Sequence, residues 1–361
     1  MSALLLDLPA GARARGRAHG EAHRDLIGGH LETWIGHLDG GRGENPRGYL
    51  DRFIDDTDFL PAVRRWTPDL VEEVEGIAEG AGLPLRHIWA LQMLDEEWAY
   101  SMRCASARQP RSKCSTFAIE GNGADRPTFV GQNMDLGSYT QGFQVLLRFA
   151  AEDDRPASLV FTLAGMIALM GVNAAGVGVH VNTLSQLPSA ASGLPVAFVA
   201  RGALARCNAS EAADFVAGAP HACGQHYVLA DPRVVRSLES SAAGSTRFVG
   251  QGEGRVLHTN HPLAGAAADA PPLRNSAVRL ESLQQRLGGP TAPGIAEARA
   301  ALSSFDDPDH PVCRLGKGSG LIAYTTGSMI STLPASGGPV VSEITVGPPS
   351  QNPWRRFQLV Q

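Results

Sequence analysis

Cys114 divides the chain into two kinds of sequence. Before it, apolar residues recur at helical spacing; after it, short apolar or alternating runs follow one another between turn signals. "STFAI", "TFVGQN", "FQVLLRF", "SLVFTL", "IALMGVN" and "GVGVHVNTL" stand too close together for helical crossovers, so they predict antiparallel strands. Upstream, "TPDLVEEVEGIAEGAG" predicts a helix with Thr67 as N-cap, Pro68 in its first turn, Leu70, Val74, Ile77 and Ala81 on one face, and Gly80 and Gly82 ending it. A second helix is expected from Pro84 with Ile88, Leu91 and Trp98 on one side, and its acids Asp95, Glu96 and Glu97 read as a solvated face. Helical patterns return near 196–217, 274–287 and 294–304, and "HYVLAD", "LIAYTT" and "PVVSEITV" suggest later strands. Helices, then a strand meander, then mixed elements imply an α+β or layered α/β fold.

The chain of 361 residues is long for one domain, although a large layered unit can hold it. Two segments are expected, 1–113 helical and 114–361 the core, together forming one compact unit. A net charge of −5 offers no basic field for nucleic acid or anionic lipid, which leaves small molecules as partners. The opening "MSALLLDLPAGARARGR" has the wrong order for a signal peptide, and no apolar stretch is long enough to cross a bilayer. The sequence thus reads as soluble, cytoplasmic and without a membrane partner. Five scattered cysteines, Cys104, Cys114, Cys207, Cys223 and Cys313, argue for reduced thiols. Lys113 and Lys317 are the only lysines, for which coding bias is explanation enough.

Cys114 follows the polar, Pro-broken stretch 105–113 and opens an apolar run. It can be a buried structural thiol, a metal ligand, or a nucleophile that becomes a new N-terminus when the Lys113–Cys114 bond breaks. In the last case an N-to-S acyl shift frees an α-amine whose reference pKa of about 7.7–8.0 suits it to take the thiol proton. Cys104 is a rival, but "MRCASA" ends a predicted helix. His221, Cys223 and His226 in "HACGQH", with His258 and His261 in "HTNH", offer nitrogen and sulfur ligands for zinc without a strong zinc spacing, so ordinary strand and turn residues are expected, with no metal and no cofactor. "GQGEGR" at 250–255 lacks the strand-to-helix setting of a phosphate loop and predicts a hairpin turn.

The run "KCSTFAIEGNGADRPTFVGQNMD", residues 113–135, resembles the start of the mature β chain in the isopenicillin N acyltransferase (acyl-coenzyme A:6-aminopenicillanic acid acyltransferase) family of N-terminal nucleophile hydrolases, which also includes β-alanyl amine hydrolases. The resemblance extends through "VEGIAEGAG", "GMIALMGVNAAGVGVHVNTL", "HTNHPL" and faintly "HPVCRL". It implies a four-layer αββα sandwich with a helical N-terminal segment, self-cleavage before Cys114, and amide hydrolysis or acyl transfer through a thioester. Carried over, Cys114 is the nucleophile, Asp135 assists processing, and Asn260 stabilises the oxyanion. Thr116, Asn133, Asn182 and Arg314 support the site. Apart from the family, Asn260 could cap a turn before Pro262, and Asp135 could open an Asx turn.

The implied partner is a small acyl amide or acyl thioester, with the cleaved segments held together non-covalently and a homo-oligomer compatible with the sequence. Two departures stand out: Lys113 replaces the family's Gly before the nucleophile, and "LQMLDE" puts Gln92 and Leu94 where the family has Asn and Arg. The alternative function is an unprocessed, noncatalytic binding or assembly subunit with the same fold.

Overall fold

The computed structural model describes residues 4–38, 45–104, 114–123, 125–153, 155–250, 252, 254–289, 293–316 and 323–359. Lys113 and the rest of the 105–113 stretch lie outside them. The N-terminal segment runs β1 (Leu5–Leu8), α1 (Ala12–Ala22), α2 (Arg24–Ile35), α3 (Pro46–Asp55), α4 (Leu60–Trp66), α5 (Pro68–Ala81), α6 (Leu85–Leu91) and α7 (Leu94–Cys104). Seven strands and two helices follow: β2 (Ser115–Ile119), β3 (Thr128–Gly137), β4 (Gln144–Phe149), β5 (Ser158–Leu163), β6 (Met170–Asn173), β7 (Gly178–Thr183), α8 (Val196–Leu204), α9 (Ala209–Gly218) and β8 (Gln225–Ala230). Last come β9 (Val235–Ser241), β10 (Gly244–Arg247), β11 (Arg255–His258), α10 (Arg274–Leu287), α11 (Ile295–Leu302), β12 (Ala323–Leu333), β13 (Val340–Val346) and β14 (Arg355–Leu359).

Two sheets face one another. The larger has the order β1-β4-β5-β6-β7-β8-β9-β10 and the smaller β11-β2-β3-β12-β13-β14. Their inner faces meet where β2 and β3 lie against β7 and β8. On the outer face of the larger sheet, α8 covers β6 and β7 while α9 covers β8 and β9; on the smaller sheet α10 covers β11 and α11 covers β3 and β12. The α+β class and the αββα layering are therefore as expected from the resemblance.

Strand alternation sorts β2 cleanly. Phe117 and Ile119 join Leu280, Leu283 and Leu302 under the outer helices, whereas Cys114 and Ala118 belong to the core between the sheets. The same period turns Thr116 inward, where its hydroxyl donates to Asn182 of β7 at 2.6 Å. Gln132 of β3 links the sheets as a surrogate backbone: its Nε2 donates to the Val181 carbonyl and its Oε1 accepts from Val181 N at 3.1 Å.

Several local expectations change in three dimensions. Residues 5–8 form β1, a parallel edge strand on β4, so the N-terminal segment completes a sheet of the core rather than being wholly helical. The predicted single helix from Pro84 breaks between α6 and α7, where buried Gln92 bonds the backbone of Ile88, Gly165 and Ile167. Thr67 occupies the N-cap position of α5, but its hydroxyl donates back to the Val63 carbonyl. The turn expected at 250–255 is no hairpin, since β10 and β11 lie in different sheets and the chain crosses between them there.

The acids of α7 are not solvated. Asp95 accepts from Thr183 and Gln225, Glu96 from Val196 N and the Cys223 thiol, and Glu97 from the Tyr49 hydroxyl. Donors already in place offset the cost of burying them. Burial, and after it the charge of Asp95, pushes Glu96 up to about 7.

The helical segment is joined to the core by charge and by close packing. Glu73 of α5, 2 % exposed, accepts from Arg15 of α1 at 2.5 Å and from Arg201 of α8 at 2.8 Å. Gly80 does not end α5; with Gly76 it lets α1 approach backbone to backbone, and a Cβ at Gly76 would fall 2.3 Å from the Arg13 carbonyl oxygen. Gly82, at φ 68°, caps the helix in the left-handed region. Gly76→Ala is expected to lower the unfolding free energy by about 1–3 kcal/mol because two helix axes must separate. Gly28→Ala, in α2 with open space around the added methyl, should raise it by up to about 1 kcal/mol. Denaturant midpoints of the two variants check both signs.

Candidate active site

Cys114 sits at the head of β2, only 2 % exposed, with its Sγ 3.7 Å from Met134 Sδ and 3.8 Å from the Asp135 carbonyl oxygen. It borders a cavity of about 20 Å³ walled by Leu94, Asp95, Met134, Met166, Val181 and Thr183. That volume suffices for a water and not for an acyl chain. Burial, and after it the charge of Asp135, pushes the Cys114 thiol up to about 12, with the Asp135 carbonyl contact and Arg279 opposing.

The residue that organises the site was not read from the sequence. Arg279 of α10 is fully buried and donates through Nη1 to the Cys114 carbonyl at 2.6 Å and to Ser115 Oγ at 3.0 Å. Through Nη2 it donates to Asn260 Oδ1 at 2.8 Å and to Asn275 Oδ1 at 3.2 Å. A signal existed: Ser276, Arg279, Leu280, Leu283 and Leu287 are the buried stripe of α10, so this Arg occupies a core-facing position of an amphipathic helix. Burial and Arg314 pull its guanidinium down to about 9, while Asp135 and Cys114 act the other way, so it keeps its charge near neutrality.

Asn260 is thereby tied through Arg279 to the Cys114 carbonyl. Its Oδ1 is held by Arg279, and its Nδ2 donates to the Thr183 carbonyl at 3.0 Å, on the wall of the Cys114 cavity. Asp135 accepts from the Thr325 hydroxyl at 2.6 Å and faces Arg314 Nε at 3.7 Å. Burial lowers the pKa of Arg314, and Asp135 raises it.

The other carried-over residues play a different part. Thr116 and Asn182 form an inter-sheet bond on β2, where Asn182 Oδ1 also meets His226 Nδ1 at 2.9 Å. Asn133 braces the outer helix layer, donating to the Leu302 and Val312 carbonyls and accepting from Ser328. The ring nitrogens of His226 and His258 are taken up by Asn182, Ser237, Thr259 and Glu239, and no metal-ligating group of three or more occurs among the described residues.

With this geometry in hand, the sequence matches the family of acyl-coenzyme A:6-aminopenicillanic acid acyl-transferase over residues 121–320, more than half of the chain. The chain belongs to that family. The matched interval contains Asp135, Asn182, Asn260 and Arg314 and begins just after Cys114. This family member is 29 % identical over 311 residues to the acyl-coenzyme A:6-aminopenicillanic-acid-acyltransferase 40 kDa form of Emericella nidulans, covering 84 % of this chain and 82 % of that protein.

Among solved structures, the family member is similar to the Caenorhabditis elegans N-acylethanolamine-hydrolyzing acid amidase ortholog, at TM-score 0.44 and 12 % identity over 60 % of this chain and 92 % of that one. It is also similar to a variant of the conjugated bile acid hydrolase of Clostridium perfringens, at TM-score 0.41 and 13 % identity over 68 % and 97 %. Membership places the protein among acyltransferases of small acyl compounds. No helix among the described residues is long and apolar enough to cross a membrane.

Two outcomes follow from this geometry. Arg279→Lys leaves one ammonium where a planar fork reaches the Cys114 carbonyl, Ser115 Oγ, Asn260 Oδ1 and Asn275 Oδ1. The variant should lose about 1.5–3 kcal/mol of stability, the worth of one charged hydrogen bond, read from denaturant unfolding. With the Cys114 pKa near 12, its thiolate fraction at pH 8 is on the order of 10⁻⁴. In the uncleaved chain iodoacetamide should therefore label the exposed Cys104 and Cys207 well before Cys114, as peptide mass spectrometry would record.

Proposed function

We propose that this protein is a self-processing N-terminal cysteine amidohydrolase or acyltransferase acting on a small acylated amine or acyl thioester. The observation that carries the reading is the Arg279 fork, which fixes the Cys114 carbonyl and the Asn260 carboxamide to one rigid group. Nucleophile and oxyanion donor are thus held in a common frame, as acyl transfer requires.

In the first stage Cys114 Sγ attacks the carbonyl carbon of Lys113 and the peptide nitrogen leaves with the thiol proton. Water then hydrolyses the resulting thioester, releasing a carboxylate at 113 and an α-amine at 114. Lys113 slows this stage relative to Gly, because a side chain restricts the strained backbone it passes through. In the second stage the Cys114 amine takes the thiol proton and sulfur attacks the substrate carbonyl. Asn260 and backbone N–H groups hold the oxyanion, the leaving group departs with the proton, and water or an amine resolves the thioester. Asp135, beside Arg314 and next to Met134 on β3, is suited to hold the new ammonium.

One observation favours the noncatalytic alternative, namely the deep burial of Cys114 and the high pKa that goes with it. Intact mass separates the two readings. The enzyme gives two fragments joining at Lys113 and Cys114, Cys114→Ala gives one chain without turnover of acylated amines, and Asn260→Ala gives two fragments with kcat reduced about 10²–10³-fold. A single wild-type chain whose Cys114 resists thiol-directed electrophiles would establish the alternative.

A further inference from the structure

Glu239 lies on β9 of the larger sheet, 3 % exposed, and its carboxylate crosses to the facing sheet. Its Oε1 accepts from His258 Nε2 at 2.8 Å and from Leu263 N at 2.6 Å; its Oε2 accepts from Ala264 N at 3.2 Å. His258 precedes Asn260 and Leu263 follows it, so one carboxylate grips the chain on both sides of the residue read as the oxyanion donor. Neither Glu239 nor its grip belongs to the residues that contact the thiol or its cavity.

The grip is backed from both directions. His258 Nδ1 meets the Thr259 carbonyl at 2.8 Å, so each ring nitrogen has an acceptor and the imidazole cannot rotate without losing one. Its ring lies on that of His226, centroids 3.7 Å apart and planes within 7°. His226 is itself pinned, Nδ1 to Asn182 Oδ1 and Nε2 to Ser237 Oγ at 2.7 Å. From the helix side, Ser276 Oγ receives Asn260 N at 2.7 Å and meets His261 Nδ1 at 2.7 Å.

We infer that Glu239 is a positioning residue for the acyl-transfer chemistry, acting through His258 and the Leu263 and Ala264 amides to fix the segment that carries the Asn260 carboxamide. This rests on the reading of Asn260 as oxyanion donor. An oxyanion hole is sensitive to displacements of well under 1 Å, and a buried carboxylate that accepts three hydrogen bonds holds both flanks in place at once. Its isosteric amide cannot do so: in Glu239→Gln an NH₂ group must face a donor, either the His258 and Leu263 side or the Ala264 N–H.

The test is a double-mutant cycle on the processed protein, with steady-state kinetics on one acylated-amine substrate. Glu239→Gln should lower kcat about tenfold with KM within twofold of wild type. In the Asn260→Ala background the same change should have no further effect on kcat. His258→Gln, which keeps a donor toward Glu239, should retain kcat within about threefold, while His258→Leu should fall as far as Glu239→Gln; this pair serves if Glu239→Gln does not fold. Equal loss from Glu239→Gln in both backgrounds, or an unchanged kcat beside an impaired Asn260→Ala, overturns this inference alone. An unimpaired Asn260→Ala overturns the oxyanion assignment and the inference with it.

Discussion

A guanidinium buried without a directly bonded carboxylate is the contact on which the rest of the site depends. Arg279 meets three carbonyl-type oxygens, Cys114 O, Asn260 Oδ1 and Asn275 Oδ1, that are themselves neutral. Its charge is balanced at longer range by Asp135, which also faces Arg314. Such a group is costly to bury and costly to leave unpaired, so its neighbours are held closely to the geometry that satisfies it. Those neighbours include the proposed nucleophile and the proposed oxyanion donor.

Around it, the seam between the sheets is polar where most sandwich cores are apolar. Gln132 pairs with the backbone of Val181, Thr116 with Asn182, and His258 with Glu239. A greasy interface tolerates sliding, whereas directional bonds across the seam define one relative placement of the sheets. Strands β2 and β11 belong to one sheet, and Thr183 and Glu239 to the other. The site exists only when the two are in that placement.

Much of the fold was legible because its signals are local. The alternation in "STFAI" predicts β2 and puts Cys114, Thr116 and Ala118 on one face, and the periodicity of 274–287 predicts α10 to its ends. The acids at 95–97 were misread because side-chain charge was taken as a mark of solvent, whereas donors from β7, β8 and α3 were waiting for them. β1 escaped notice since four residues carry too little pattern, and its partner lies far along the chain. Arg279 carries no mark of its role in the sequence beyond its place on the buried stripe of α10.

The residues themselves carried the strand and helix periods, the thiol at the head of an apolar run, and the family likeness of the segment around it. Those properties are short-range, fixed by pleat, helical pitch and turn chemistry, and they survive in one dimension. That Arg279 bonds both Cys114 and Asn260, and that Glu239 holds the segment around Asn260, arose from the stacking of two sheets and the placement of β11 in the smaller one. Such contacts, 165 positions apart for Arg279 and Cys114 and 19 for Glu239 and His258, depend on how whole layers settle against each other, and no local period records that.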